Sequence, residues 1–78
     1  MKISLEIDAR GLKCPLPVLR ASRALRRMAP GQVLRLLADD PMAAIDLPHF
    51  CAETGHVMET AADLSDGGRA YLIRCTGA

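Results

Sequence analysis

Residues 2–7, KISLEI, alternate, with Ile3, Leu5 and Ile7 on one side and Ser4 and Glu6 on the other, which is the period of a half-buried strand. Residues 8–13 form a turn around Gly11, and then the period changes. At 100° per residue Val18, Ala21, Leu25, Met28 and Ala29 share one arc, with Arg20, Arg23, Arg26 and Arg27 opposite. The spacing predicts an amphipathic helix from Pro15 to about Ala29, stopped by Pro30 and Gly31. Leu16 and Leu19 break the pattern, because the same wheel places them among the arginines. The outward face is therefore partly apolar near Cys14.

Residues 32–38, QVLRLLA, are rich enough in Val and Leu to predict a central strand. Asp40 as N-cap and Pro41 at the first helical position then open a second helix, which runs to about Thr54 and is ended by Gly55. Pro48 lies inside it and is expected to kink or break it. Residues 56–64 and 69–76 predict two strands joined around a Ser-Asp-Gly-Gly hairpin turn.

The order β-α-β-α-β-β predicts an α/β fold, a two-layer α/β sandwich with two helices on one face of a four-stranded mixed sheet. Right-handed crossovers bring both helices to that face. The opposite sheet face is left to solvent or to a partner. Residues 1–78 are read as a single domain, of a length that supports only a modest core. With one Phe, one Tyr and no Trp, that core is aliphatic and offers almost no platform for stacked bases.

Three cysteines, Cys14, Cys51 and Cys75, are an odd number without paired spacing, unlike a secreted disulfide framework. The N-terminal residues lack an apolar targeting segment, and no run approaches membrane-spanning length. Both features point to a reducing cytoplasm, where a thiol stays free. Charge is split along the chain: residues 1–27 hold seven bases and two acids, residues 28–78 three bases and seven acids. Such asymmetry bears on partners more than on fold.

The candidate chemistry is concentrated in residues 8–17, DARGLKCPLP. With Cys14 as N-cap, Pro15 as N1, Leu16 as N2 and Pro17 as N3, the two prolines remove N–H groups that would otherwise face out of the helix mouth. The helix dipole remains and favours an anion there. The expectation is a thiol of lowered pKa, helped by Lys13 and Arg10, with few backbone donors holding the sulfur. Gly11 lets the chain turn, and the prolines stiffen the mouth. The competing reading makes Cys14 a small buried residue beside an ordinary helix start.

At these residues the sequence resembles the TusA (SirA-like) sulfur-carrier family. DARGLKCPLPVL, PGQVL, ADDP, DLPHFC and TGH stand in that family's order and spacing over nearly the whole chain, and C-P-x-P is the specific part. The resemblance implies a two-layer α/β sandwich in a cytoplasmic protein. It further implies that Cys14 takes sulfane sulfur as a persulfide and hands it to an acceptor cysteine. Its partners would then be a sulfur donor protein, a cysteine desulfurase or a rhodanese-type enzyme, and a sulfur acceptor protein. Such relays serve tRNA thiolation, molybdenum-cofactor synthesis or sulfur oxidation. Leu16 stands where some members of the family have Glu between the two prolines.

The residues themselves agree with that role. Persulfide transfer resembles thiol–disulfide exchange, which needs a thiol able both to attack and to leave. No cofactor loop and no general base is visible. The expected docking patch is Leu16 and Leu19 ringed by Arg20 and Arg23, with Arg27 beside them.

Other signals have plainer explanations. Cys51 and Cys75 read as core positions rather than resolving thiols, and helix capping before Pro41 explains Asp40 without a metal shared with Asp39. His49, Cys51 and His56 do not share one helical face, so no metal site is expected. Gly67 and Gly68 are turn residues with no helix after them to form a phosphate loop. Two rivals of other classes stay open: an RNA-binding module using the basic helix, and a redox-regulatory thiol protein. Near-neutral charge and the lack of aromatics argue against direct nucleic-acid binding.

Overall fold

The computed structural model describes residues 2–77. The elements run β1 (Leu5–Asp8), α1 (Leu16–Leu25), β2 (Val33–Ala38), α2 (Ala43–Thr54), β3 (Val57–Asp63) and β4 (Arg69–Arg74). They form a four-stranded sheet of order β1-β2-β4-β3. β1 and β2 are parallel, while β4 is antiparallel to both β2 and β3. The mixed sheet and the β-α-β-α-β-β order are those expected.

Alternation along β2 places Leu34, Leu36 and Ala38 on the helix side, and the register sets Ile73 against Leu34 and Tyr71 against Leu36. Ala21, Ala24 and Leu25 of α1 and Ala43, Leu47 and Cys51 of α2 complete the core with them. On the other face Val33 and Leu37 are buried as well, although no helix covers them. Arg35 lies between them and pairs with Glu6 across to β1, and Arg74 pairs with Glu59 across to β3 at 3.1 Å. Long charged stems of this kind lay hydrocarbon over a sheet while their heads stay wet.

Several boundaries differ from the expected ones. β1 begins at Leu5 rather than residue 2, because β2 offers partners only from Leu34 to Leu37; one bond from Ser4 N to Val33 O, 2.8 Å, precedes them. α1 is shorter at both ends. Pro15, with φ −97° and ψ 15°, is its N-cap, so Cys14 lies one residue outside the cap it was expected to occupy. Beyond Leu25 the chain tightens into three-residue turns, Arg27 N to Ala24 O and Met28 N to Leu25 O, and Ala29 is exposed.

In α2 the N-cap is Met42, not Asp40, and Pro41 belongs to the turn before the helix. Pro48 does not break α2, which runs on to Thr54. Pro48 supplies no N–H to the carbonyl four residues back. Ala43, Leu47 and Cys51, each one turn from the next, bury the same stripe on both sides of it and hold the helix to the core. Gly55 ends α2 at φ 88°, its N–H reaching Cys51 O at 2.8 Å, as a left-handed cap requires.

Candidate functional site

Parallel pairing of β1 with β2 brings the loops that follow them, residues 9–15 and 39–42, to the same end of the sheet. In open α/β sheets that end, beyond the strands' carboxyl termini, is the usual place for a functional site. Two consecutive aspartates of the second loop grip the first. Asp39 Oδ1 accepts a hydrogen bond from Gly11 N at 3.0 Å, and Asp40 Oδ2 accepts one from Cys14 N at 2.5 Å. Asp40 Oδ1 also accepts from Met42 N at 3.2 Å, so a single carboxylate ties the Cys14 backbone to the entrance of α2. Gly11 turns the chain at φ 85°, a conformation that favours glycine. The Cys14–Pro15 peptide bond is cis.

Cys14 is exposed and Cys51 and Cys75 are buried. The Cys14 thiol donates a hydrogen bond to Asp46 Oδ2 at 3.0 Å, from the first turn of α2. That bond, together with desolvation and the charges of Asp46 and Asp40, raises the thiol above its ordinary pKa. The expected lowering is thus reversed. α1 starts two residues beyond the sulfur, with Pro17 already occupying its second position, while the Asp46 carboxylate accepts the thiol's hydrogen bond and the Asp40 charge adds to it.

Arg10, expected to support the thiolate, is engaged elsewhere. Its guanidinium bonds Asp8 at 2.8 and 2.9 Å and Asp66 at 2.6 Å. The paired Asp8 carboxyl is lowered to about 2, chiefly by the Arg10 side-chain bond. A depressed carboxyl stabilises the fold above its unfolded pKa and loses that contribution as the pH falls through its folded value. The window here lies between the ordinary 3.8 and about 2. An Arg10→Ala variant is expected to lose less stability than the parent across that window, read as urea midpoints at several pH values. Equal losses in both proteins would contradict the assignment.

The remaining candidates lie on the loop before α1 and on α1 itself. Pro15 is exposed and Pro17 fully buried, which anchors the start of α1, and Lys13 is exposed. Leu16 and Leu19 are exposed, at 45% and 55%. Arg20 and Arg23, without ion-pair partners among the described residues, rim a groove with Arg27. Its floor is Leu5, Ile7, Ala24 and Met28, and it encloses about 290 Å³ between β1 and α1. A second groove lies beside Pro15, where Asp46, His49 and Glu53 of α2 face Val18, with Phe50 between the helices. The basic wall and the wall nearest the thiol are therefore different surfaces.

Cys75 Sγ lies 3.6 Å from the carbonyls of Leu25 and Met28, and burial raises the Cys51 thiol. His56 Nδ1 accepts from Thr76 N at 3.2 Å, whereas His49 pairs with Glu53 at 3.3 Å on the surface of α2. No group of three or more potential metal ligands occurs among the described residues. Asp46 is the site residue that sequence reasoning missed. A usable signal was present: two parallel strands followed by helices place both helix starts at one end, so an acid in the first turn of α2 stands near the residues leading into α1.

Fold and site together define a small α/β sandwich that holds one exposed thiol on a loop clamped by two aspartates. The family profile described as Sulfurtransferase TusA matches residues 5–75. The chain belongs to the TusA family. It is 51% identical over 68 residues to a putative sulfur carrier protein of Neisseria meningitidis serogroup A, covering 87% of this chain and 90% of that one. Over 68 residues it is 41% identical to the sulfur carrier protein TusA of Allochromatium vinosum, covering 87% of each chain. The crystal structure of a SirA-like protein from Desulfitobacterium hafniense superposes with a TM-score of 0.83 at 29% identity, covering 92% of this chain and 97% of that one.

Proposed function

We propose that the protein is a sulfur carrier of the cytoplasm that takes sulfane sulfur as a persulfide on Cys14 and passes it to the thiol of an acceptor protein. The observation that carries this reading is the placement of Cys14, the exposed cysteine of three, on the clamped loop of a TusA-family fold. In loading, the Cys14 sulfur attacks the outer sulfur of a donor persulfide. A new sulfur–sulfur bond forms at Cys14 and the donor's own breaks, the donor cysteine leaves as thiolate and takes up the proton lost by Cys14. Delivery repeats the exchange on the acceptor. Neither step needs a cofactor or an outside oxidant, and the carrier returns to its thiol.

Turnover as a sulfurtransferase depends on docking to a donor of the cysteine desulfurase or rhodanese type. Leu16, Leu19, Arg20 and Arg23 form the docking surface in this reading, with Gly11, Lys13, Pro15 and Pro17 holding the loop. Incubation with a desulfurase and cysteine, or a rhodanese and thiosulfate, is expected to add one reductant-labile sulfur atom at Cys14. Peptide mass mapping should find none at Cys51 or Cys75. Failure of both donor classes to load Cys14 overturns the reading.

Reversing charge with Arg20→Glu and Arg23→Glu is expected to lower kcat/KM for loading by about tenfold or more at low salt. The effect should shrink as ionic strength rises. Unchanged loading kinetics would remove these two arginines from the docking surface.

A further inference from the structure

In the sulfur-carrier reading, a thiol that must exchange sulfur faces a carboxylate. Cys14 is exposed, yet its Sγ donates to Asp46 Oδ2 at 3.0 Å, and among the described residues that carboxylate accepts no other hydrogen bond. The backbone of the same residue is fixed by Asp40 at 2.5 Å, so the thiol is held against α2 by a side-chain bond while its main chain is pinned independently. The charges acting on the sulfur are anionic, Asp46 from α2 and Asp40 from the loop before it, and further along the wall of α2 His49 pairs with Glu53. Lys13, its chain neighbour, makes no ion pair among the described residues, and Arg10 is held by Asp8 and Asp66.

A hydrogen bond to a carboxylate needs a donor. The thiol is one. A persulfide ionises more readily than its parent thiol, since the adjoining sulfur stabilises the anion, and at neutral pH its outer sulfur carries a charge and no proton. Opposite Asp46 and Asp40, such a sulfur meets like charge where the thiol meets an acceptor.

Resting on the sulfur-carrier reading above, we propose that Asp46 is a positioning residue that distinguishes the empty carrier from the loaded one. It retains the Cys14 thiol against α2 by accepting its hydrogen bond, and it turns the persulfide anion outward, toward an acceptor. The empty carrier is thereby kept protonated and slow to react until a donor docks. The loaded carrier presents its terminal sulfur away from the acidic wall. The switch uses no change of fold, only the loss of one donor proton on a side chain whose backbone stays pinned.

The test is alkylation of Cys14 by iodoacetamide as a function of pH, read by peptide mass, in the parent protein and in Asp46→Asn. The thiol arm uses reduced protein. The persulfide arm uses protein loaded without any enzyme: the mixed disulfide of Cys14 with thionitrobenzoate is treated with hydrosulfide, which forms the Cys14 persulfide and expels the thionitrobenzoate anion. In the thiol arm Asp46→Asn is expected to lower the midpoint and to speed alkylation near pH 7.5 by about five- to tenfold, with the same plateau at high pH. In the persulfide arm Asp46→Asn should slow alkylation by about twofold or more, because a neutral amide no longer turns the anion outward, and Asp46→Glu should restore part of both effects.

Three outcomes overturn the proposal: an unshifted thiol midpoint, acceleration of the thiol by one factor at every pH, which marks mere loosening of the loop, or a persulfide that Asp46→Asn leaves unchanged or accelerates. Should the variant fail to fold, the parent's thiol midpoint in the folded state against that in urea reads the same effect, and equal midpoints overturn the proposal. Loading by a donor enzyme plays no part in these profiles. Its failure would sink the carrier reading and leave them standing.

Discussion

Cys14→Ser is expected to leave a folded protein that neither gains nor delivers sulfur, with transfer down by more than about a thousandfold, to background. The loss is chemical and not structural. Cys14 is exposed and its side chain bonds Asp46 alone, a bond that a serine hydroxyl can also make, so stability should change by no more than about 0.5 kcal/mol. A hydroxyl cannot form the sulfur–sulfur bond on which loading rests. Cys51→Ala and Cys75→Ala should load normally wherever they fold, since both thiols lie in the core. Transfer surviving in Cys14→Ser and lost in either of the others would place the chemistry at another cysteine. Loading assays with thermal melts on the same samples separate the cases.

Leu36→Ala is expected to have the largest effect on stability. Leu36 is fully buried at the middle of β2, between Ile7 of β1 and Tyr71 of β4, on the face both helices cover. Truncation there removes transfer energy and leaves a cavity, together about 2–5 kcal/mol. A domain of this size has about 4–12 kcal/mol in all, so Tm should fall by at least about 10 °C, and the variant approaches outright unfolding. Leu19→Ala, on the exposed face of α1, should shift Tm by no more than a few degrees. Similar melting points for the two variants would mean that the packing face of the sheet has been assigned wrongly.

The element order was legible because the hydrophobic period changes at each boundary. Period two over residues 2–7 becomes the arc of Ala21 and Leu25, and Gly55 marks the end of α2 with the left-handed cap it adopts. The wheel also placed Leu16 and Leu19 outside, where they are. Local signals failed where a distant partner decides. Asp40 looked like a helix cap because the sequence shows only its neighbours, yet one of its oxygens serves Cys14, far back along the chain. Arg10 looked available to the thiol until the fold brought Asp66 to it.

The reversal at Cys14 has the same origin. A proline pair beside a cysteine announces a helix mouth, and a helix mouth suggests a stabilised thiolate. What the helix does to the sulfur depends on where its first turn begins and on what stands opposite. Pro15 holds that turn one step past Cys14, and Asp46, brought in by the parallel pairing of β1 and β2, faces the sulfur with a carboxylate. The thiol is therefore presented, as expected, but presented in its protonated form.

The most direct test of the carrier reading is a chase of isotopically labelled sulfur. Protein loaded with labelled sulfur by a desulfurase or rhodanese is freed of donor and mixed with a thiol-bearing acceptor protein of the same cell, and both are followed by intact mass. The account predicts that the label leaves Cys14 and appears on the acceptor in equal amount, while the carrier returns to its unloaded mass. Label that loads and then stays on this protein, or is released only as free sulfide whatever acceptor is supplied, would contradict it.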